Sequence, residues 1–241
     1  MRKNTTNFFK RFFYIIVFFS IIAGFTFFSY VIQQANDPCI YLEKVLLDSD
    51  QKVLKSFFAP DDDIRSVLIS LIKAEQESIC IAIYWKTQKD IADALVEAYE
   101  RGVKIEIIAD RGYGSDRYSK IPHLANNKIP VWVFQTDIKT NALMHNKFVI
   151  FKNILGRSLV WTGSYNFTNR ANDSNQENVI VLDDKNIVES FSNQFSKIKK
   201  RCVLISGKPG EDYTRRVAKE ESITATVAKW LRGILKMYDE M

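Results

Sequence analysis

A run of 21 uncharged, mostly apolar residues near the amino terminus constrains this chain more than any other feature. Residues 12–32 read FFYIIVFFSIIAGFTFFSYVI, and a helix of that length, at about 1.5 Å per residue, spans the roughly 30 Å hydrocarbon core of a bilayer. A cleaved signal peptide is the alternative, but its apolar region has only about 7 to 15 residues and ends at a small-residue cleavage site. The run therefore predicts an uncleaved transmembrane anchor.

Basic residues flank this run on one side only. All four basic residues near it lie in the preceding segment, 1–11, and the first basic residue after it is Lys44. By the positive-inside bias, the amino terminus is predicted to be cytoplasmic and the rest of the chain to be exported, to the periplasm if the source is a Gram-negative bacterium. A mitochondrial outer-membrane anchor is the alternative location.

The composition is globular, with 46% hydrophobic and 26% charged residues, which excludes a disordered or collagen-like chain. The net charge is +6, but residues 33–196 carry 19 basic and 22 acidic side chains. Because the positive excess lies at the two ends, bulk charge does not predict a wide nucleic-acid-binding face. The cysteines fit neither a metal spacing nor a disulfide framework. Cys80 is predicted to be a buried thiol, and a Cys39–Cys202 bridge is the alternative outside the cytoplasm.

After a polar connector over 33–51, the chain alternates short apolar strands with amphipathic helices across 52–203. Strands are predicted at 54–59, 78–84, 103–109, 130–134, 147–152, 158–162 and 178–182, and helices at 61–75, 88–101, 117–126 and 184–200. This alternation predicts a single α/β sandwich domain. A separate helix over 211–239 carries an apolar stripe, which is expected to pack on the domain or, alternatively, on a partner or a membrane surface.

Candidate catalytic chemistry begins at the strand predicted near residue 147. His145 and Lys147 alternate onto the same face, about 7 Å apart along the chain. An imidazole beside an ammonium suits an anionic, phosphate-like substrate, with the imidazole as nucleophile or acid/base and the ammonium as charge clamp. A surface strand that carries the two side chains by chance is the alternative interpretation. A loop at 110–114 also follows a buried strand, on the side where open α/β sheets bind ligands.

A second group of polar residues follows the next predicted strand. Gly163 and Ser164 let the backbone turn sharply and approach a ligand, while the Asn166 amide can donate to a phosphoryl oxygen. Glu177 is a candidate to accept a ring N–H of His145 and to fix its tautomer. The alternatives are an ordinary strand-to-helix turn for the first three and a solvated carboxylate for Glu177.

Together, H-x-K, G-S-x-N and N-x-E-N resemble the phospholipase D superfamily, in particular its single-motif members: small bacterial endonucleases and a membrane-anchored mitochondrial enzyme of the same type. The resemblance implies a phospholipase D-like αβα sandwich with a mixed central sheet. It implies that His145 attacks phosphorus to give a phosphohistidine, that Lys147 and Asn166 hold phosphoryl oxygens, and that Glu177 orients the histidine. The expected catalytic residues are His145, Lys147, Ser164, Asn166 and Glu177, and the expected substrate-binding residues are Gly163 and Asn175.

The resemblance also implies that two chains build each site, since one imidazole cannot both attack phosphorus and protonate the leaving oxygen on the opposite side. The other histidine, His123, has no cationic neighbour of the H-x-K kind and is predicted to be structural. A homodimer with His145 from each copy in a shared site is therefore expected. The chemistry requires no metal or other cofactor, and no carboxylate or cysteine cluster in the sequence suggests a metal site.

One position departs from the family pattern H-x-K-x4-D, because Lys152 stands where the aspartate is expected. Residues 153–157 are also expected to form a longer hairpin turn. A catalytically decayed, membrane-anchored binding protein is therefore one alternative. The enzyme interpretation predicts a phosphodiesterase, with nucleic acid slightly favoured over glycerophospholipid head groups, although both substrates would use the same site. Candidate rim residues are Trp85, Lys86, Arg111, Tyr113 and Arg170.

Overall fold

A mixed β-sheet dominates the computed structural model of the chain. The structure describes residues 18, 20–28, 37–46, 52–84, 88–111, 119–134 and 142–204. The chain forms two compact units, one of residues 1–45 and one of residues 46–241, and the predicted chemistry lies in the second.

The first unit is helical where it is described. Residues 18 and 20–28 are in α-helical conformation, and a second helix spans Pro38–Leu46 (α1). Asp37 precedes this helix and accepts a hydrogen bond from the N–H of Cys39 at 2.8 Å, as expected at a helix start. The remaining positions of the predicted anchor, 12–32, lie outside the described residues. Within the described part of the chain, no helix has both the length and the apolar character needed to cross a bilayer.

The second unit alternates strands and helices along the chain. Its strands are Leu54–Ala59 (β1), Ser78–Ile83 (β2), Lys104–Asp110 (β3), Val131–Phe134 (β4), Lys147–Ile154 (β5), Arg157–Gly163 (β6), Glu177–Leu182 (β7) and Cys202–Leu204 (β8). Its helices are Ile64–Ala74 (α2), Lys89–Glu100 (α3), Ile121–Asn126 (α4), Asn169–Asp173 (α5) and Lys185–Lys199 (α6).

Local capping residues explain several of these boundaries. Asp63 caps α2, and its side chain accepts the N–H of Ser66 at 3.2 Å, so the acidic run before this helix acts as a helix start, as predicted. Asp184 caps α6 in the same way. Gly102 follows α3 with φ of 98°, a left-handed conformation that glycine adopts without steric cost at the end of a helix.

The eight strands form one sheet in the order β1-β7-β6-β5-β2-β3-β4-β8. β2, β3 and β4 run parallel to one another, and all other neighbouring pairs are antiparallel. The parallel pairs follow from the helical crossovers α3 and α4, which return the chain to the same end of the sheet. The sheet is therefore mixed, as the resemblance implies, and the carboxyl ends of β2 and β3 lie at the same edge as the start of β5.

Helices cover both faces of the sheet. On one face, Ala82, Phe148 and Val160 pack in a buried cluster with Phe195 and Ile198 of α6. Side chains that alternate to the opposite face of the central strands are buried as well, on the side where α2 and α3 pack against the sheet. Because both faces are covered, the central strands are apolar at nearly every position, and the architecture is an αβα sandwich.

Four features of the second unit differ from the sequence predictions. The helix predicted at 117–126 begins only at Ile121 among the described residues. The longer turn expected at 153–157 is instead a two-residue turn at Leu155 and Gly156, both with positive φ, as a tight hairpin requires. The helix α5 and the strand β8 were not predicted, since neither is long enough to show a periodic pattern.

Two further predictions concern the carboxyl-terminal helix and the cysteines. The helix predicted over 211–239 lies outside the described residues. All three cysteines are unpaired in the structure. Burial raises the pKa of both Cys80 and Cys202 to about 11, so these thiols stay protonated at neutral pH and are poor nucleophiles.

Candidate active site

The predicted site residues converge on one edge of the sheet. Lys147 is the first residue of β5, Gly163 is the last residue of β6, and Glu177 is the first residue of β7. Because β5, β6 and β7 are consecutive antiparallel neighbours, these three ends meet at the same edge. His145 lies just before β5, in the segment 142–146, which is neither helix nor strand.

The Lys147 ammonium lies against the imidazole of His145. Its Nζ atom is 3.0 Å from Nδ1 and 3.1 Å from Nε2 of the ring, and it donates to the carbonyl oxygen of His145 at 2.8 Å. Lys147 is only 8% exposed, whereas His145 is exposed. A buried ammonium is thus held beside an accessible imidazole, although His145 lies just before the strand and not on it.

The surroundings of His145 and Lys147 lower the pKa of both side chains. Partial burial and the positive charge of Lys147 lower the pKa of His145, while the negative charge of Asp110 opposes the shift. Burial also lowers the pKa of Lys147, against the opposing effect of Glu177. A lowered pKa favours neutral imidazole near neutral pH, and only neutral imidazole has a lone pair for nucleophilic attack.

Glycine at position 163 permits a close approach between β6 and β7. A Cβ atom at this position would overlap the backbone carbonyl of Asn178, so only glycine fits without displacing a strand. The next residue, Ser164, donates its N–H to Asn178 O at 3.0 Å, and its hydroxyl oxygen accepts the Asn178 N–H at 3.1 Å. The predicted sharp turn is therefore present, and it fixes Ser164 next to β7.

The carboxylate of Glu177 is held by two neighbouring polar side chains. One oxygen accepts a hydrogen bond from the Ser164 hydroxyl, and the other accepts from the Asn175 amide at 2.9 Å. These contacts place three of the expected residues, Ser164, Asn175 and Glu177, within one hydrogen-bonded group. The ring nitrogens of His145 lie against Lys147 instead, so the orienting role of Glu177 toward His145 stays a prediction.

Asn166 contributes a buried polar atom to the turn after β6. Its side-chain oxygen is buried and has no hydrogen-bond partner within the described residues. Unsatisfied buried polar atoms are uncommon in folded proteins, and each calls for an explanation. The predicted role of Asn166, in which its amide N–H donates to a phosphoryl oxygen, also stays a prediction, because the unpaired atom is the acceptor oxygen and not the donor.

Two residues at this edge received no catalytic role from the sequence. Tyr84 follows β2, and its ring meets the His145 ring edge-on, with centroids 4.3 Å apart; Lys147 Nζ lies 5.0 Å from the Tyr84 centroid. Asp110 ends β3 and accepts a hydrogen bond from the Met144 N–H at 2.8 Å. The only sequence signal for either was its place at the carboxyl end of a buried strand, which is the ligand-binding edge of such sheets.

The other histidine lies away from this group. His123 is on α4 and contacts Asp93 of α3, with 3.1 Å between Nε2 and Oδ1, as expected for a structural histidine. Of the predicted rim residues, Arg111 and Arg170 are described, and the other three lie outside the described residues. Over the ranges that the structure describes, no three His, Cys, Asp or Glu side chains are grouped so that they could hold a metal ion.

Comparison with known proteins shows which family and which relatives this chain resembles. A family model described as cardiolipin synthase, PLD-like domain, matches residues 68–199. A phospholipase D from Rickettsia felis is 34% identical over 134 residues, which cover 56% of this chain and 63% of the relative. A mitochondrial cardiolipin hydrolase from Chlamydomonas reinhardtii is 34% identical over 133 residues, covering 55% of this chain and 56% of the relative. The match thus spans less than two thirds of either curated relative.

A solved structure extends the comparison to the fold. The crystal structure of Nuc from Salmonella typhimurium, a phospholipase D family member, superposes with a TM-score of 0.58 at 28% sequence identity. The superposition covers 65% of this chain and 99% of that chain. The mixed sheet with its two helical layers therefore corresponds to nearly the whole of that solved chain.

Proposed function

Because the chain belongs to the phospholipase D superfamily, we propose that it hydrolyses phosphodiester bonds through a phosphohistidine intermediate. The observation that carries this proposal is the contact between Lys147 Nζ and the His145 ring, at 3.0 and 3.1 Å from its two nitrogens. It supplies a neutral nucleophile and a fixed positive charge at the same place.

In the first step, a lone pair on a ring nitrogen of neutral His145 attacks phosphorus. A P–N bond forms and the P–O bond to the leaving group breaks, while a protonated His145 from a second copy gives its proton to the leaving oxygen. In the second step, that second imidazole takes a proton from water, the water oxygen attacks phosphorus, and the P–N bond breaks. Lys147 stabilises the negative charge on the phosphoryl oxygens in both transition states.

The requirement for a second imidazole supports a homodimer as part of the proposal. His123 cannot serve, because it lies on α4 against Asp93. An exposed apolar surface adjoins the site: α6 packs on β4, β5 and β6, and beside it Leu54, Phe58 and Ile180 are 69%, 54% and 40% exposed. We assign the contact with a second copy to this surface.

Phe58 connects that apolar surface to the site. It lies opposite Asn178 in the β1–β7 pair, and the N–H of Asn178 binds the hydroxyl of Ser164. A second copy that covers Phe58 would therefore approach the edge of the sheet where His145 is exposed. Because the apolar surface on β1 and β7 reaches the site, we favour it over the surface at β8, the outermost strand on the other side of the sheet.

We propose a phospholipid as the substrate. The curated relatives are a phospholipase D and a cardiolipin hydrolase, and an anchor at 12–32 would hold an exported domain close to a bilayer. The distribution of charge also weighs against a broad nucleic-acid contact, since residues 33–196 carry 19 basic and 22 acidic side chains. Nucleic acid is the second candidate, because the H-x-K and G-S-x-N motifs resemble those of small bacterial endonucleases.

A competition experiment with two labels tests this proposal. The 241-residue chain in detergent is given labelled single-stranded DNA and differently labelled anionic phospholipid in one tube, in excess chelator. We expect release of a phospholipid head group, reduced by about 10⁴ or more in His145→Ala, because the covalent nucleophile is lost. His123→Ala is the matched control and should retain wild-type turnover.

The other possible results of the two-label experiment distinguish the remaining interpretations. Cleavage of DNA alone, also lost in His145→Ala, would keep the mechanism and replace the substrate. Retention of even a tenth of the turnover in His145→Ala would contradict the phosphohistidine mechanism. If neither label is released by the wild-type chain, the decayed binding protein becomes the better interpretation.

A further inference from the structure

A buried carboxylate that the proposed chemistry does not use lies beside the site. Asp110, the last residue of β3, is 1% exposed. Burying a charged carboxylate is costly unless it is hydrogen-bonded. One of its oxygens accepts the backbone N–H of Met144 at 2.8 Å, and Met144 immediately precedes His145 in the chain.

A second contact holds the chain on the other side of His145. The N–H of Tyr84, just after β2, donates to the carbonyl oxygen of Asn146 at 3.0 Å. Because β5 is adjacent to β2, and β3 lies beyond β2, the segment 142–146 crosses the carboxyl ends of both parallel strands. His145 is therefore fixed through its two sequence neighbours, by a side chain of β3 and by the backbone that follows β2.

We infer that Asp110 is a positioning residue, which fixes the backbone that carries His145 and provides the negative charge that balances Lys147. This inference rests on the proposed function, since it assigns a role within that same site. Asp110 touches neither the phosphoryl group nor the leaving oxygen in this proposal. It acts through His145, by holding the imidazole at the sheet edge in front of Lys147.

The proposed mechanism uses both protonation states of His145, so the charges around the imidazole must balance. Lys147 comes from β5, Asp110 from β3 and the Tyr84 ring from the end of β2, while Glu177 of β7 acts on Lys147. Burial and Lys147 lower the pKa of His145, and Asp110 raises it. In a shared site, one His145 must be neutral to attack and the other must be protonated to act as acid, so neither form can be strongly disfavoured.

Asp110→Asn separates the charge of Asp110 from its hydrogen bond. An asparagine amide oxygen can still accept the Met144 N–H, but the negative charge is lost. In the whole 241-residue chain with isotope-labelled histidine, NMR follows both histidines through a pH titration. We expect the midpoint of His145 to move to lower pH in Asp110→Asn, with His123 unchanged.

A carboxylate at the other histidine supplies the matched control. Asp93→Asn removes the carboxylate that contacts His123 Nε2, so this variant loses one negative charge away from the site and should leave the midpoint of His145 in place. If His145 titrates identically in the wild type and in Asp110→Asn, the electrostatic part of the inference is overturned. An equal shift of both histidines in Asp110→Asn would overturn it as well, since it would indicate a general change in the fold.

Asp110→Ala tests the positioning part, because it removes the hydrogen bond together with the charge. We expect kcat/KM to fall about 100-fold, as when a nucleophile is misplaced by about 1 Å, and to fall further than in Asp110→Asn. Equal kcat/KM values for Asp110→Ala and Asp110→Asn would overturn the positioning role. If Asp110→Ala does not fold, Asp110→Asn and its NMR titration decide.

The titration needs no substrate, and this separates the two proposals. A wild-type chain that cleaves neither substrate, together with a His145 midpoint that moves in Asp110→Asn, would reject the proposed function and keep the electrostatic contact. Normal substrate cleavage by the wild-type chain, together with an unchanged His145 midpoint in Asp110→Asn, would reject the electrostatic effect of Asp110 and keep the proposed function.

Discussion

Lys152 lies in the place of the motif aspartate, yet its position keeps it away from the chemistry. It is exposed on β5, five residues from Lys147, which corresponds to about 16 Å at about 3.3 Å per residue. An odd separation also places the two side chains on opposite faces of the strand. The substitution therefore leaves the site intact, and it does not by itself favour a decayed enzyme.

This position gives a prediction at the residue scale. Lys152→Asp, which restores the family pattern, should change kcat/KM by no more than about twofold, because the side chain is remote from the phosphate. Lys147→Met should lower it by about 10² to 10³, the usual loss when one charge-stabilising donor is removed. Turnover of the substrate identified by the two-label experiment measures both. A large gain in Lys152→Asp would contradict this account.

The lowered pKa of His145 predicts the acid side of the pH profile. Burial and Lys147 favour the neutral ring, so protonation that removes the nucleophile should occur below the ordinary histidine value of 6.5. We expect the acidic limb of log kcat/KM against pH to have its midpoint below 6.5 and activity to be lost as the pH falls through it. A midpoint above that value would mean that the acidic neighbours outweigh Lys147.

At the scale of elements, the approach of β6 to β7 depends on Gly163. Gly163→Ala would force a methyl group into the carbonyl of Asn178, so we expect a loss of about 2 to 3 kcal/mol in unfolding free energy, typical of overpacking, together with a loss of activity. Gly156→Ala is the control, because its Cβ would meet open space; only its positive φ should cost about 1 kcal/mol. Chemical denaturation compares the two, and equal losses would contradict the close-approach argument.

Glu75 joins two strands at the opposite end of the sheet from the site. Its buried carboxylate accepts the N–H groups of Glu77, Ser78 and Asn153 at 2.7 to 3.0 Å, which ties the start of β2 to the irregular end of β5. Glu75→Ala leaves these donors without their partner. We expect it to lower the unfolding free energy by about 3 kcal/mol and to leave the midpoint of the His145 titration unchanged. A shifted midpoint would mean that Glu75 acts on the site.

Strand and helix types were predictable where a long pattern repeats. Residues 78–84 and 103–109 were predicted to be buried strands, because each is a short apolar run and the amphipathic pattern of α3 lies between them. β8 has three residues, and its pairing with β4 leaves no trace in the local sequence. Secondary structure that depends on a distant partner cannot be seen in a window of neighbouring residues.

The candidate site was also predictable only in part, where its residues lie within a short sequence motif. His145, Lys147, Gly163 and Ser164 were found because each lies within a short motif. The role of Asp110 was missed, since it reaches Met144 only because β3 lies two strands from β5 in the sheet. The sequence places 33 residues between Asp110 and Met144, and no local pattern connects them.

At the scale of the whole molecule, a shared site makes activity depend on pairing. If His145 from two copies forms one site, a mixed pair of wild-type and His145→Ala chains has a single imidazole there and should be inactive. We expect increasing amounts of His145→Ala, allowed to exchange, to reduce the turnover per wild-type chain. Turnover that does not change on mixing would contradict the shared site.

The assigned dimer surface is tested separately. Phe58→Glu places a charge on the exposed apolar surface beside the site, and we expect it to shift the chain toward monomer in sedimentation, with a parallel loss of turnover. Leu204→Glu is the matched control, because Leu204 is also exposed, at 45%, but lies on β8 at the opposite edge of the sheet. Equal effects of the two substitutions would contradict the assignment.

The tight turn at Leu155 and Gly156 lies at the end of β5 and β6 that is far from the site. It nevertheless fixes, with the irregularity between Phe151 and Ile154, which residue of β5 faces which residue of β6. A slip of one residue would rotate every side chain of β5 to the other face, so Lys147 would point into the layer of α6 and the phosphate would meet Phe148. A surface turn that touches no substrate therefore helps to align Lys147 with the end of β6, together with the pairing of β5 to β2.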